Sequence, residues 1–248
     1  MIDSQIWLSH KFDLLFPAAL RLDGYEDFKD RFCSQYFSKD QVIYDVGGGK
    51  NPFFDLATKQ RLQAVIVGVD IDAGELSKAP QDVYDRTIQT DICAYEGKQD
   101  ADLIICQTLL EHVPDVGAAL RAISSMLRPG GRVLVFAPCR NAAFARLNLI
   151  LPENLKRKLL FTIFPSTITL QGFKSYYDKC TPRNFRTLAS KNGMIVENEK
   201  LYFMSHYFSF LFPLYAIWRI WTLLASWLSG EYAESFAMVL VKKSASSG

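Results

Sequence analysis

The chain has 248 residues, of which 49% are hydrophobic and 22% charged, and its formal net charge is +2. This length allows one large α/β domain with a substantial core and argues against a second independent domain. The near-balanced charge excludes the basic excess that is typical of proteins that bind DNA or RNA. We therefore expect residues 1–243 to form one domain, followed by a disordered polar tail at 244–248.

The cysteines favour a reducing compartment. Five are scattered along the chain without Cys-x-x-Cys spacing, and they read as reduced core thiols of a cytoplasmic protein: Cys33, Cys93, Cys106, Cys139 and Cys180. The first residues lack a basic region followed by an apolar run, so no secretory signal is predicted. No group of His, Cys and carboxylate residues has metal-ligand spacing, so no catalytic metal is expected.

Residues 1–40 are predicted to form a helical leader that precedes the sheet. Aromatic and apolar residues recur there at helical spacing until Pro17 breaks the pattern. Such a leader either packs over a ligand site or only covers apolar surface, and both readings stay open.

A glycine cluster follows the first predicted strand, residues 42–46. The strand carries Asp45 and runs directly into Gly47, Gly48 and Gly49, which can adopt backbone angles closed to other residues. A turn without Cβ atoms lets a ligand approach the backbone closely. A helix is predicted from Phe54 to Gln60, with Asn51-Pro52 opening it. Alone, the glycines are a weak signal, because many turns need glycine only for geometry.

A second apolar run, residues 63–69, ends at Asp70, about 20 residues after the glycines, which is the offset of a ribose-binding carboxylate. Asp72 is the rival acid. Two strands with a helix between them make a βαβ unit.

The following segments continue this alternation. We predict a short helix at 73–80, strands at 86–90, 101–106 and 132–137, and a helix at 115–127 that Arg128-Pro-Gly-Gly131 ends. Apolar strands of this kind belong to a parallel sheet covered on both faces. Residues 141–180 read as an insertion or substrate lid. A helix with clear start and stop signals is predicted at 181–193. Strands at 194–203 and 235–242 complete the domain.

Five segments in this order resemble successive motifs of class I S-adenosylmethionine-dependent methyltransferases. They are Asp45-Val-Gly-Gly-Gly49, Gly68-Val-Asp70, Thr90-Asp-Ile92, Cys106-Gln-Thr-Leu-Leu-Glu-His-Val113 and Leu127-Arg-Pro-Gly-Gly131. The resemblance covers roughly residues 40–140, with weaker matches at 181–203 and 235–242. It implies a Rossmann-like, doubly wound α/β fold with a seven-stranded, mostly parallel sheet whose last strand is antiparallel. The implied cofactor is S-adenosyl-L-methionine, with S-adenosyl-L-homocysteine as its product.

The resemblance also implies roles for single residues. Gly47 and Gly49 would pass beneath the methionine part of the cofactor, Asp45 would accept from its ammonium group, and Asp70 would accept from the ribose hydroxyls. The remaining expected cofactor contacts are Ile71, Asp91, Ile92 and Gln107. Two alternatives remain open: Asp91 could be a turn aspartate, and the family's third loop glycine is replaced here by Asn51.

The reaction expected of this family is an in-line displacement, for which aligning the two reactants is the main requirement. A base is needed only for a weakly acidic acceptor. His112, Tyr176 and Tyr177 are the candidate catalytic residues, and residues 172–180 are the predicted substrate wall. A lid that only excludes water is the alternative for this segment.

Two other functions fit parts of the pattern. A nicotinamide-dependent oxidoreductase would also use Gly47, Gly49 and Asp70, but Pro52 stands where its third glycine belongs. A catalytically inactive module that still binds the cofactor is the second alternative.

Residues 204–230 are an apolar insertion with an open role. Residues 203–228 carry one full charge, Arg219, and Pro213 is predicted to divide them into two helices. The flanking strands should share one sheet, which excludes a simple membrane crossing. Residues 204–228, with 147–164 and its basic Lys156-Arg-Lys158, could form a lid, a homodimer face or a peripheral membrane contact on the cytoplasmic side. The acceptor predicted from this pattern is a small molecule, lipid-like or lipid-linked.

Overall fold

The computed structural model describes residues 2–152, 155–156 and 173–244. Arg157, Lys158 and Gly172 of the predicted lid and substrate wall, and residues 245–248 of the predicted tail, lie outside the described residues. The helices are α1 (Ile2–Asp13), α2 (Gly24–Asp27), α3 (Leu56–Leu62), α4 (Ala73–Ser77), α5 (Val116–Met126), α6 (Ala143–Ile150), α7 (Pro182–Lys191) and α8 (Phe212–Leu228). The strands are β1 (Val42–Val46), β2 (Val65–Asp70), β3 (Arg86–Gln89), β4 (Ala101–Gln107), β5 (Leu127–Pro138), β6 (Met194–Tyr202) and β7 (Ser235–Lys242).

The strands form one seven-stranded sheet in the order β3-β2-β1-β4-β5-β7-β6. The pairs among β1 to β5 are parallel, whereas β7 runs antiparallel to both of its neighbours. The predicted sheet with an antiparallel last strand is therefore confirmed.

The core lies on both faces of this sheet, because alternate residues of the central strands point to opposite sides. Tyr44 and Ile104 face the cluster that contains α5 and α7. Ile43 and Leu103 face a second cluster, which contains the leader's aromatic residues and Leu62 of α3. Covering on both faces explains why β1, β2 and β4 read as nearly continuous apolar runs.

The predicted start of the helix after the glycine loop is wrong. Helix α3 begins at Leu56, where the Asp55 side chain accepts a 2.7 Å hydrogen bond from the Thr58 N–H and caps the first turn. Asn51 and Pro52 lie outside the helix. The Phe53 N–H is bound by the carboxylate of Asp45, which keeps this stretch in the loop.

Strand β5 begins five residues earlier than predicted. Leu127 already pairs with Ala101, and the register then jumps to Arg132 opposite Leu103. The intervening Arg128-Pro-Gly-Gly131 forms a bulge in β5, where Gly130 has φ +79°. Arg128 forms an ion pair with Asp102 of β4, which fixes the bulge against its partner strand.

Pro213 does not divide the apolar segment into two helices, so that prediction is also wrong. Residues 212–228 form the single helix α8, and Pro213 lies in its first turn, where its missing N–H is no loss. Residues 203–211 are a non-helical connector from β6 to α8. No helix in the described part of the chain is long and apolar enough to cross a membrane.

The start and stop signals predicted for the helix after residue 180 agree with the structure. Thr181 caps α7 by accepting from the Asn184 N–H, Pro182 is its first residue, and Gly193 follows its end at φ +72°. All five cysteines are free, and four of them are buried. Among the described residues, no group of three or more His, Cys, Asp and Glu side chains could hold a metal ion.

Candidate functional site

A cavity of about 160 Å³ opens at the carboxyl ends of β1 and β4. These two strands are neighbours in the sheet at the point where the strand order reverses direction. Open α/β sheets bind their ligands in the crevice at such a switch point. The cavity is lined by the glycine loop, by Gln107 and Thr108 at the end of β4, and by the rings of Tyr25 and Phe53.

The glycine loop is closely surrounded, and two of its glycines have backbone angles that side chains rarely adopt. Gly47 has φ +83°, and a Cβ there would lie 2.9 Å from Cδ1 of Leu109. Gly49 has φ +47°, and a Cβ there would lie 3.1 Å from Oδ2 of Asp70. The Gly47 N–H also donates a 2.7 Å hydrogen bond to the Val69 carbonyl of β2. Glycine is therefore required here for backbone angle and for space together.

Asp45 is a buried acid, 4% exposed, that lines the cavity. Its Oδ2 accepts hydrogen bonds from the Phe53 N–H at 2.8 Å and from the Tyr84 hydroxyl at 3.1 Å. Burial raises the pKa of this carboxyl to about 6, although both hydrogen bonds act to lower it. No basic side chain among the described residues forms an ion pair with it. An uncompensated carboxyl in a cavity suits a positively charged ligand.

Tyr84 is a residue of this site that the sequence did not reveal. Its hydroxyl donates to Asp45 and also lies 3.3 Å from the Gly49 carbonyl, so it connects the acid with the glycine loop. Tyr84 stands in the irregular stretch before β3, where no spacing or motif marks it. Only the folded sheet brings it beneath the loop.

Asp70 and Asp72 have different partners, which bears on the choice between them. Asp72 caps α4, since its Oδ1 accepts from the N–H groups of Gly74 and Glu75 at 2.7 Å and 3.3 Å. Asp70 ends β2 and faces Gly49, and burial raises its pKa. Ile71 beside it is 59% exposed at the edge of the sheet. Asp70 accepts a 3.0 Å hydrogen bond from the Asp72 N–H, and its contact with a ligand stays a prediction.

Asp91 and Ile92 lie beside Asp70, because the Thr90 N–H donates a 2.9 Å hydrogen bond to the Asp70 carbonyl. The exposed Asp91 side chain accepts a hydrogen bond from the Cys93 N–H at 2.8 Å. This is the contact expected if Asp91 is a turn aspartate. Ile92 packs into the core. The geometry gives these two residues structural contacts, and their contact with a ligand stays a prediction.

Gln107 carries an unsatisfied group. Its Nε2 is buried and has no hydrogen-bond acceptor among the described residues, although the side chain lines the cavity. Buried amide groups in native structures normally have partners. A ligand oxygen in the cavity would supply the missing acceptor.

The three candidate catalytic residues are brought together beside the end of β4. The N–H groups of Tyr176 and Tyr177 both bind the Glu111 carbonyl, at 2.8 Å and 3.0 Å. The His112 Nδ1 lies 3.1 Å from the Lys174 carbonyl, and burial lowers the pKa of its ring. The segment predicted as the substrate wall thus packs against the turn that follows β4.

The three side chains differ in what they offer to a substrate. Tyr176 is exposed, whereas Tyr177 is buried, with a backbone φ of +49°. Burial raises the pKa of the Tyr177 hydroxyl, which makes it a poor proton acceptor. A carbonyl oxygen can only accept a hydrogen bond, so the contact with Lys174 places the His112 proton on Nδ1 and leaves Nε2 as the available base.

Glu111 belongs to the motif of residues 106–113, but nothing in the sequence predicts its burial. It is 4% exposed, and its Oε2 has no hydrogen-bond partner among the described residues. Its Oε1 lies 3.8 Å from Nε2 of His112. Burial raises the pKa of this carboxyl to about 8. An acid beside a histidine in a short turn gives no sequence sign of such burial.

Comparison with known proteins identifies the family to which the chain belongs. A model of the methyltransferase domain matches residues 21–179. A ubiquinone biosynthesis O-methyltransferase of Pseudomonas entomophila is 32% identical over 124 residues, which are 47% of this chain and 53% of that protein. The protein of the same name from Aeromonas salmonicida is 28% identical over 122 residues, 46% of this chain and 50% of its own length. The chain thus spans about half the length of the curated relatives it matches.

Solved structures share the fold at low identity. A SAM-dependent methyltransferase from Methanosarcina mazei superposes with a TM-score of 0.53 and 14% identity. The match covers 87% of this chain and 98% of that one. At this identity the likeness concerns the fold alone.

Proposed function

The chain belongs to the family of S-adenosylmethionine-dependent methyltransferases, and on that basis we propose that it transfers a methyl group from S-adenosyl-L-methionine to an oxygen of a small-molecule acceptor. The observation that carries the proposal is the cavity between β1 and β4, where a glycine loop, the uncompensated Asp45 carboxyl and the unsatisfied Gln107 amide meet. Oxygen as the methylated atom rests on the O-methyltransferase names of the relatives.

The residues of the cavity and the neighbouring Asp70 fit this cofactor, which is positively charged and carries ribose hydroxyls. Asp45 would hold its ammonium group, Asp70 its ribose hydroxyls, and Gln107 one of its oxygen atoms. When bound, the cofactor supplies a methyl group that its sulfonium makes electrophilic. The protein holds both reactants in line, and such orientation is worth ~7–11 kcal/mol of a reaction barrier. Tyr25 and Phe53 line the same cavity and would shield a bound cofactor from water.

Two titrations and one assay test this function. Calorimetry should show binding of S-adenosylhomocysteine and no binding of NADH, and the opposite result would support the oxidoreductase. Methyl-labelled cofactor, mixed with an extract and partitioned between organic and aqueous phases, should label a product in the organic phase. Binding without any labelled product would support the inactive module.

We also propose a lipid-like acceptor that is reached at a membrane surface, on the cytoplasmic side. The support is the reversed polarity of α8. Its buried face carries polar groups, including Arg219 and Thr222, whereas its outer face is entirely apolar. The exposed residues of that face, here called the α8 outer face, are Leu214, Ile217, Ile220, Trp221, Leu224, Trp227 and Leu228.

Elements that contact α8 also expose apolar side chains. Trp7, Leu14 and Leu15 are exposed on and just after α1, which packs against α8, and Ile150 is exposed at the end of α6. Exposed tryptophans beside apolar residues are typical of proteins that lie in a membrane interface. Lys11 is also exposed on α1, where its ammonium lies 5.6 Å from the Trp7 ring.

Flotation tests the membrane contact against the dimer. The protein should float with vesicles that contain phosphatidylglycerol, and the Ile217→Glu/Trp227→Glu variant should remain at the bottom of the gradient. Ile195→Glu, which changes an exposed apolar residue on β6, is the matched control and should float. A protein that stays at the bottom and sediments as a dimer without detergent would replace the membrane with a second copy of the chain.

A further inference from the structure

Glu111 is a buried acid that pairs with no lysine or arginine in the described part of the chain, and the function proposed above leaves it without a role. Ionisable side chains are rarely buried unless they are paired, because burial disfavours the charged form. The partners of Glu111 are incomplete: Oε2 has none among the described residues, and Oε1 lies too far from His112 for a hydrogen bond.

Among the described residues, no lysine or arginine forms an ion pair with Glu111, and the nearby Arg140 guanidinium instead donates to the Tyr177 carbonyl at 2.8 Å. Burial and the charge of Glu111 both raise the pKa of four nearby thiols and phenols, which are Cys106 of β4, Tyr177 and Cys180 of the 173–181 segment, and Tyr207 of the connector to α8. His112 of the same turn is the nearest basic group, and burial lowers its pKa. The Glu111 carboxyl is therefore surrounded by thiols, phenols and an imidazole whose charged form burial disfavours.

The position of Glu111 connects it with the reacting groups. It stands four residues after Gln107, which lines the cofactor cavity, and its carbonyl binds the segment that carries Tyr176 and Tyr177. His112 Nε2 and Glu111 Oε1 are 3.8 Å apart, so a hydroxyl group placed between them would contact both. Methyl transfer to oxygen requires an acceptor for the hydroxyl proton.

We propose that Glu111 is the catalytic base that takes the proton of the acceptor's hydroxyl group, an inference that rests on the proposed function. The acceptor oxygen forms a bond to the methyl carbon, the carbon–sulfur bond breaks, and its electron pair stays on sulfur. The hydroxyl proton moves to a carboxylate oxygen of Glu111, whose ionised form is favoured by the positive charge of the bound cofactor. The positive charge on sulfur and the negative charge on the carboxylate disappear together, which suits a buried carboxyl that pairs with no described lysine or arginine.

A titration that does not depend on turnover tests this assignment. Glutamate labelled with ¹³C at its side-chain carboxyl allows NMR to follow Glu111, which Glu111→Gln identifies by the loss of one signal. S-adenosylmethionine and S-adenosylhomocysteine differ by one methyl group and one positive charge. Because a nearby positive charge favours the carboxylate, the pKa of Glu111 should be about 1 unit or more lower in the S-adenosylmethionine complex.

The outcomes separate the two proposals. If both ligands bind and Glu111 titrates identically in both complexes, the carboxyl does not face the reacting centre and the inference is overturned. If neither ligand binds, the proposed function itself fails.

Kinetics give a second measurement, with vesicle-borne dodecylphenol as the probe acceptor. Glu111→Gln keeps the shape of the side chain, so S-adenosylhomocysteine affinity should be unchanged while turnover falls by roughly 10²–10⁴-fold. Glu234→Gln is the matched control, because Glu234 is also buried but accepts from Trp218 Nε1 at 3.2 Å and Ser205 Oγ at 3.0 Å. Its turnover should stay near that of the native protein. Equal losses in both variants, or none in Glu111→Gln, would contradict the assignment.

Discussion

Asp70 and Asp72 have different partners although they are two residues apart, because only Asp72 is engaged as a helix cap. Asp70→Ala should weaken binding of S-adenosylmethionine by about tenfold or more, since losing a charged hydrogen-bond partner costs about 1.5–3 kcal/mol. Calorimetry measures this change. Asp72→Ala is the control: it should lower the free energy of unfolding by ~1 kcal/mol and leave affinity unaltered. The reverse pattern would assign the ribose contact to Asp72.

Asp45 should make cofactor binding depend on pH. The pKa of its carboxyl is raised to about 6 in the free protein, so the group is neutral below that value and charged above it. A positively charged ammonium needs the charged form, and affinity for S-adenosylhomocysteine should therefore fall as the pH drops below about 6, by at most roughly tenfold per pH unit. Asp45→Asn should bind weakly with little of this dependence. A flat affinity in the native protein between about pH 5 and 7 would show that Asp45 does not contact the ammonium.

At the scale of elements, α8 is anchored by a buried ion pair. Arg219 is fully buried, donates to Asp13 of α1 at 2.8 Å, and also binds the carbonyls of Phe203 and Leu20 at 3.0 Å each. The Tyr215 hydroxyl donates to the other Asp13 oxygen at 2.6 Å. These contacts satisfy the polar groups on the inner face of α8 and join the leader to the end of β6.

Arg219→Ala should lower the free energy of unfolding by about 3–5 kcal/mol, because it leaves the buried Asp13 carboxylate unpaired. Urea unfolding, followed by tryptophan fluorescence, measures the loss. Arg186→Ala is the control, since Arg186 pairs with Glu199 on the surface and such pairs contribute about 0–1 kcal/mol. Similar losses in the two variants would mean that the Arg219 network contributes no more than a surface pair.

For the whole molecule, ligand binding should appear as a gain in thermal stability. A ligand at 100 times its dissociation constant that binds only the folded state adds about 2.7 kcal/mol. In a protein of this size, that corresponds to a Tm increase of roughly 5–11 °C. Scanning calorimetry with S-adenosylhomocysteine should show this increase and NADH should not. An increase with NADH alone would contradict the proposed cofactor.

How far the sequence predicts this molecule depends on the range of the interactions. The strands can be predicted from apolar runs, which are local signals. The glycine loop and Asp70 can be predicted from the glycine cluster and from the fixed spacing between the two. A proline in the first turn of a helix and a proline that breaks a helix look the same in a sequence. Only the packing of the folded chain shows that Pro213 lies in a first turn. The burial of Glu111 and the contact of Tyr84 with Asp45 arise between segments distant in the chain, so no local pattern contains them.

The connection between β6 and β7 has a consequence for how such a protein diversifies. Tyr202 and Ser235 are paired neighbours in the sheet, so residues 203–234 leave and rejoin it at one point. Loop closure depends only weakly on length, about 0.6 kcal/mol per doubling, so this excursion can be exchanged for a shorter or longer one while every strand keeps its register. The glycine loop, Asp45, Asp70 and Gln107 lie outside it. The proposed membrane contact and the proposed cofactor site therefore lie on separate parts of the chain, and each can change while the other stays the same.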